Sequence, residues 1–176
     1  MIKHYFIALC FDDETKAWIA EQQRQIYSIF SYKQWVNPAD YHLTLDFLGG
    51  IGDACLKTLA HQLDTVRHSP FSLTIGGLSY FGNKLSPRVL WMKTEEKDEL
   101  LRLQKKILHQ TQTKEQSFIP HITLAKRWTD RSKKVEETAF DLLKDQKQLM
   151  VDRFVVYEIH PERQQKYQVW EEFHLK

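Results

Sequence analysis

His42-Leu43-Thr44-Leu45, part of the stretch YHLTLDFL that Gly49 and Gly50 close, returns later in the chain as His121-Ile122-Thr123-Leu124. Both tetrads read His-x-Thr-Leu. At average residue usage such a match arises about once per ten thousand positions, so a second copy by chance is on the order of a per cent. The alternation of polar and apolar side chains puts each tetrad on a β-strand. Residues two apart project from one face of a strand, about 6.6 Å from each other, and the residues between them project from the other. Each His therefore stands beside its Thr, while Leu43, Leu45, Ile122 and Leu124 turn the opposite way to fill a core.

The surroundings of the tetrads repeat as well. HYFIALCF before Asp12 reads as a buried strand, and Asp12 or Asp13 caps a helix whose inner positions are Ile19, Gln22, Ile26 and Ile29. Asn37-Pro38 marks a turn before the first tetrad. From Asp53 a helical stripe of Leu56, Leu59, Ala60, Leu63 and Val66 follows, and Pro70 precedes a third strand, FSLTI. The order then restarts at Arg88. RVLWMK is a strand, a charged helix carries Leu100, Leu103 and Ile107 on one side, and Pro120 introduces the strand HITLAKR. A fourth helix is expected to carry Val135, Ala139, Leu142 and Leu143, ahead of the strands MVDRFVVYEI and YQVWEEFHL. An order β-α-β-α-β used twice predicts an internal duplication, with one domain of two lobes spanning roughly 1–87 and 88–176.

Bulk properties bound the function. With 176 residues, 42% hydrophobic and 12% aromatic, and only 6 Gly and 5 Pro, the chain is a folded globule of one domain. A net charge of +2 from 25 basic and 23 acidic side chains excludes a protein that coats duplexes, so any nucleic-acid contact is local. Cys10 and Cys55 suggest neither a disulfide framework nor a metal knuckle, and read as small core residues. The apolar run Tyr5 to Phe11 ends on Asp12 and Asp13, unlike a signal peptide, and no stretch approaches the roughly 20 apolar residues of a membrane span. A cytoplasmic protein without membrane contact is expected.

Two imidazoles and two hydroxyls around one centre suit phosphoryl transfer, in which attacking and leaving oxygens stand in line on opposite sides of phosphorus. One imidazole takes a proton and the other gives one, and an ordinary pKa near 6.5 lets histidine do either at neutral pH. Threonine hydroxyls donate to the non-bridging oxygens, where charge develops. A lone His-x-Thr-Leu would more often be a histidine satisfying a backbone carbonyl; its duplication favours a site. A catalytic zinc normally takes three protein ligands, and no carboxylate or third His sits at a matching spacing, so no metal and no cofactor are expected.

The paired motifs resemble those of the two-histidine phosphoesterase superfamily, specifically its bacterial RNA 2′,3′-cyclic phosphodiesterases, once called 2′-5′ RNA ligases. The resemblance covers nearly the whole chain. It includes Phe6-Ile7-Ala8-Leu9, Trp35-Val36 with Pro38, Phe47-Leu48-Gly49, Arg88-Val89-Leu90-Trp91, and Phe118 with Pro120 before the second tetrad. The resemblance implies a bilobal α+β fold whose mainly antiparallel strands form a barrel-like central cleft. It also implies metal-independent hydrolysis of terminal 2′,3′-cyclic phosphates to 2′-phosphates, on RNA 3′ ends or nucleotides and without an obligate protein partner. His42 then matches the proton donor to the departing 3′ oxygen, His121 the acceptor that activates water, and Thr44 and Thr123 the phosphate-binding hydroxyls.

The family often has an arginine five positions after the second histidine, where this chain has Lys126 followed by Arg127. Ideal alternation puts Arg127 on the face of His121, so use of Lys126 requires a bulge or the strand's end. Cys10 and Asp46 also depart from the family pattern, away from the four motif residues. The run Lys126, Arg127, Arg131, Lys133 and Lys134 reads more readily as solvated surface than as an RNA track with Trp128 stacking on a base. Tyr5, Tyr41 and Phe118 are candidates for a base-stacking wall, with core packing the commoner fate of strand aromatics. Two alternatives stay open: a non-catalytic RNA-end binder, and a relative acting on a nucleotide cyclic phosphate or a 2′-5′ linkage.

Overall fold

A computed structural model of the chain describes residues 2–130, 132 and 134–176. In chain order the elements are β1 (His4–Cys10), α1 (Asp13–Ile26), β2 (Tyr32–Trp35), β3 (His42–Gly50), α2 (Asp53–Leu63), β4 (Phe71–Asn83), β5 (Ser86–Thr94), α3 (Asp98–Thr111), β6 (His121–Trp128), β7 (Gln146–Val151), β8 (Arg153–Ile159) and β9 (Tyr167–His174). α1 starts where the sequence places it, because the Asp12 carboxylate accepts the Thr15 N–H at 2.7 Å and satisfies an otherwise orphaned donor. α3 ends at Gln112, whose left-handed backbone (φ 56°) turns its N–H back to the Leu108 carbonyl.

The strands form two open antiparallel sheets in an α+β arrangement, with orders β3-β1-β8-β9 and β2-β6-β5-β4-β7. Laid side by side, β1 answers to β5, β3 to β6, β8 to β4 and β9 to β7. The two sheets thus match strand for strand, with an exchange: one strand from each half of the chain pairs in the sheet that holds the other half's motif strand. β4 lies beside β5, and β8 lies beside β1. Each sheet draws on both halves of the chain. Among the described residues neither sheet closes on itself, so the barrel expected around the cleft is not formed and the sheets are open.

One continuous core fills the space between the sheets and helices, and Leu43, Leu45, Ile122 and Leu124 all belong to it. Each such burial stabilises the fold by about 1.5–3 kcal/mol relative to exposure, which is what fixes the register of the two tetrad strands. A smaller cluster of Phe6, Ala8, Val155 and Tyr157 covers the other face of β1 and β8.

Several expectations are corrected. Val135 to Leu143 is not an α-helix: it holds a short 3-10 turn, Glu137–Asp141, with Leu142 49% exposed. Val135, Ala139 and Leu143 all reach the core from this irregular path, so tertiary packing accounts for the apolar stripe without an α-helix. MVDRFVVYEI is two strands, since at Asp152 the chain leaves β4 for β1, and the Asp152 carbonyl accepts from Leu175 N–H at 2.7 Å. β2 had no strand assigned; it pairs with β6 through Tyr32 opposite Trp128. Ile29 lies beyond α1 and is exposed, and Cys55 is exposed on α2 rather than in the core. Among the described residues no helix is long and apolar enough to cross a membrane.

Candidate active site

β3 and β6 carry the same burial pattern through their first six residues, two half-buried positions at His and Thr, then two consecutive buried ones, then an exposed one. The consecutive buried pair records a bulge. Ala8 faces Thr44 and Ile7 faces Asp46, leaving Leu45 as an extra residue; Trp91 faces Thr123 and Leu90 faces Ala125, leaving Leu124 as an extra residue. Both tetrads thus bulge at their final leucine, and alternation resumes out of phase. The residue five after each His returns to the face of that His. In β3 it is Phe47, 60% exposed, and in β6 it is Lys126. This is the bulge that a Lys126 contact requires. Arg127 adopts a left-handed backbone (φ 63°) near the end of β6.

The two imidazoles are held alike. His42 Nδ1 lies 2.7 Å from the Asp40 carbonyl, and His121 Nδ1 lies 2.7 Å from the Ile119 carbonyl, each two residues upstream. A carbonyl only accepts, so Nδ1 carries the hydrogen in both rings and Nε2 is the nitrogen left for proton exchange. Neither the Thr44 nor the Thr123 hydroxyl bonds another group among the described residues.

Electrostatics ties these residues into one site. Burial pushes the His42 pKa down to about 4, against a raising influence of the Asp40 carbonyl, and the Lys126 and His121 charges depress it further. His121 is also held below its ordinary value, by burial first and by the Lys126 charge, while its bond to the Ile119 carbonyl pulls the other way. Lys126 is itself lowered by crowding and by the charge of Lys166. A cavity of about 460 Å³ joins the two motifs, with Thr44 of the first and His121 of the second in one lining that also includes Phe47, Phe81, Phe118 and Ile119.

Aromatic rings back both imidazoles. Phe6 and Tyr157 pack with centroids 5.2 Å apart behind His42, and Phe81 and Trp91 pack 5.0 Å apart behind His121. The nearest ring to His42 is Phe6 at 4.8 Å, with Tyr167 edge-on at 5.0 Å; the nearest to His121 is Phe81 at 4.9 Å. Phe6 and Trp91 stood in the stretches that carry the resemblance, without a role at the site, and Phe81, Tyr157 and Tyr167 were not singled out. Their signal was position alone, on strands that neighbour the tetrads. Of the aromatics proposed instead, Tyr5 and Tyr41 are buried in the core, and Phe118 reaches the cavity.

Asp40 is a second residue that the sequence reading passed over. Its buried carboxylate accepts the backbone N–H of Lys166 (2.9 and 3.1 Å) and of Tyr167 (3.1 Å), while its carbonyl holds His42. One residue thus clamps the β8–β9 turn against the first motif. Cys10 is the direct cross-strand partner of His42, closer to the motif than expected, whereas Asp46 turns away to accept from the Thr113 hydroxyl at 3.0 Å. Trp128 is committed elsewhere, edge-on to Tyr32 and donating its indole N–H to the Asp130 carbonyl. Arg131 and Lys133 lie outside the described residues. No three His, Cys, Asp or Glu side chains converge on a metal-sized site among the described residues.

Comparison with known proteins bears on this geometry. Residues 11–163 match the sequence profile of the 2′-5′ RNA ligase superfamily. The chain is 30% identical to the RNA 2′,3′-cyclic phosphodiesterase of Bacillus subtilis, over 98% of this chain and 96% of that protein. It is 33% identical to the enzyme of that name from Thermotoga maritima, over 86% and 84%. The relative from Geobacillus stearothermophilus, 29% identical over 98% of this chain, is longer, and the chain spans 57% of its length. Among solved structures, Escherichia coli LigT complexed with 3′-AMP superposes with a TM-score of 0.79 over 100% of this chain and 99% of that one, at 20% identity, which speaks for the fold. TT0787 of Thermus thermophilus superposes with a TM-score of 0.77 at 27% identity, over 98% and 97%. This chain belongs to the 2′-5′ RNA ligase superfamily of two-histidine phosphoesterases, on the branch of the RNA 2′,3′-cyclic phosphodiesterases.

Proposed function

We propose that this protein hydrolyses terminal RNA 2′,3′-cyclic phosphates to 2′-phosphates in the cytoplasm. Residues 1–87 supply the proton donor His42 with Thr44, and residues 88–176 supply the acceptor His121 with Thr123 and Lys126. The faces of the two sheets that bear these residues act as the walls of a substrate cleft. Water attacks phosphorus and loses its proton to His121 Nε2; the bond to the 3′ oxygen breaks, and that oxygen takes the proton of His42. Thr44, Thr123 and Lys126 donate to the non-bridging oxygens. The observation that carries this reading is the matched pair of imidazoles, each fixed through Nδ1 and coupled to the other by charge.

The depressed proton affinity of His121 fits a base directly. For the donor, the bound phosphate supplies what is missing: an anion beside His42 offsets Lys126 and favours the imidazolium. The test is incubation with an RNA ending in a 2′,3′-cyclic phosphate, in excess EDTA, using wild type, His42→Ala and His121→Ala. A 2′-phosphate product that needs both histidines and survives the chelator is expected. Turnover indifferent to either substitution would sink the acid–base assignment, and no turnover would leave an RNA-end binder.

A further inference from the structure

Lys166 sits at the end of the β8–β9 turn, where the mechanism above gives it no task. Its backbone N–H is gripped by the buried Asp40 carboxylate, and the next residue, Tyr167, lays its ring edge-on against His42 at 5.0 Å. Its charge reaches Lys126, whose charge in turn reaches both imidazoles. Neither lysine head group meets a carboxylate among the described residues, although Lys166 is half-buried and carboxylates pair with many other cations of this chain. The Asp40 carboxylate is occupied with backbone donors of Lys166 and Tyr167. Two uncompensated cations whose charges act on each other favour a ligand carrying more than one negative charge.

Ribose chemistry says where the second charge lies. The 3′ carbon adjoins the 4′ carbon, which carries the 5′ substituent, whereas the base hangs from the 1′ carbon on the far side of the 2′ oxygen. With His42 at the departing 3′ oxygen, the chain leading to the preceding nucleotide leaves on the His42 side. The Lys166 backbone is anchored on that side, since the Asp40 carboxylate accepts its N–H while the Asp40 carbonyl holds His42.

We propose that Lys166 forms a second anion subsite that contacts the phosphodiester on the 5′ side of the terminal nucleotide, with Asp40 as its positioning residue, so that RNA ends are preferred over free nucleoside cyclic phosphates. This rests on the cyclic phosphodiesterase reading above. Because Asp40 holds the backbone of Lys166 and not its head group, substitution of the side chain leaves the clamp in place.

The experiment compares uridine 2′,3′-cyclic phosphate with the dinucleotide UpU ending in the same group, using wild type, Lys166→Gln and Lys166→Arg. Wild type is expected to favour the dinucleotide. In Lys166→Gln the dinucleotide-to-mononucleotide ratio of kcat/KM should fall about fivefold to tenfold, mostly through KM, as loss of one charge-assisted contact implies. Lys166→Arg should keep the ratio, and added salt should shrink it in wild type while leaving Lys166→Gln little changed. An unaltered ratio in Lys166→Gln, or a parallel fall on both substrates, overturns the subsite. If wild type turns over neither substrate, the activity reading falls on its own, and calorimetric binding of the two 2′-phosphate products decides about Lys166. Equal affinity ratios in wild type and Lys166→Gln would then reject it.

Discussion

The two walls of the site share a backbone and differ in what surrounds it. On each, a His-x-Thr-Leu strand bulges at its leucine, ties its imidazole to a carbonyl two residues upstream and rests on a pair of aromatic rings. Around His42, however, three rings and the Asp40 clamp close in, and the pKa drops to about 4. Around His121 two rings stand, the cavity opens beside it, and the shift is in the same direction with Lys126 as its cationic cause. The position five residues after the His is the exposed Phe47 on one wall and Lys126 on the other. A repeated motif thus sets the same geometry twice, and the neighbours of each copy set how strongly its imidazole is depressed.

Removing either imidazole should produce the largest effect. His42→Ala and His121→Ala are each expected to lower kcat by roughly 10²–10⁴-fold, with the double variant little worse than either, because the two act as a unit. The comparison predicts where they part. On a nucleoside para-nitrophenyl phosphodiester, whose leaving group departs without a proton, His42→Ala should recover most of the lost rate and His121→Ala should not. Equal recovery by both would break the assignment of donor and acceptor.

Lys126→Ala comes next. Loss of a charge-assisted phosphate contact should cost about 1.5–3 kcal/mol in kcat/KM, or roughly ten- to a hundredfold. Since the Lys126 charge depresses both imidazoles, its removal should raise both pKa values, as read by NMR titration of the free protein. A rise at one histidine alone would mean that Lys126 belongs to one wall and not to the site as a whole.

Asp40→Ala should have a smaller kinetic effect and a more selective one. It releases the backbone N–H groups of Lys166 and Tyr167 but leaves the carbonyl that orients His42. A stability loss of about 1–3 kcal/mol is expected from the freed donors. As the turn loosens and water reaches His42, the His42 pKa should climb toward its ordinary value while that of His121 stays, which a general loosening of the fold would not produce.

How much of this was legible follows from what periodicity records. The tetrads gave the catalytic candidates, their shared face and the core leucines, because a strand with one buried face writes its alternation into the chain. The order of elements gave the α+β class, though among the described residues the second half has one α-helix where two were expected. The exchange of β4 and β8 between sheets was not readable, since pairing partners far apart in sequence leave no local trace. The bulge was foreseeable only as a condition on Lys126: its mark is the doubled apolar pair at Leu45-Asp46 and Leu124-Ala125, and Asp46 masks one copy. Val135 to Leu143 misled because its apolar spacing reads as a helical stripe, while the same side chains reach the core around a short 3-10 turn. Asp40 escaped notice because its partners are backbone groups more than a hundred residues away.

The smallest expected effect lies in stability against pH, and it too separates the walls. The folded protein holds His42 at about 4, below the ordinary 6.5, so the folded state resists a proton that the unfolded chain accepts. Nothing is lost above pH 6.5, where both states are neutral at this position. As pH falls from 6.5 toward about 4 the unfolded state binds the proton first, and stability drops throughout that window before levelling once the folded imidazole also charges. His42→Gln removes this linkage, so between pH 7.5 and 4.5 its Tm should fall less than that of wild type. His121→Gln should shift the profile in the same direction over a narrower window, because the more open wall lets His121 take its proton sooner. If the two variants flatten the acid limb equally, the walls do not differ in the folded protein without ligand, and the division between donor and acceptor must then come from the bound phosphate.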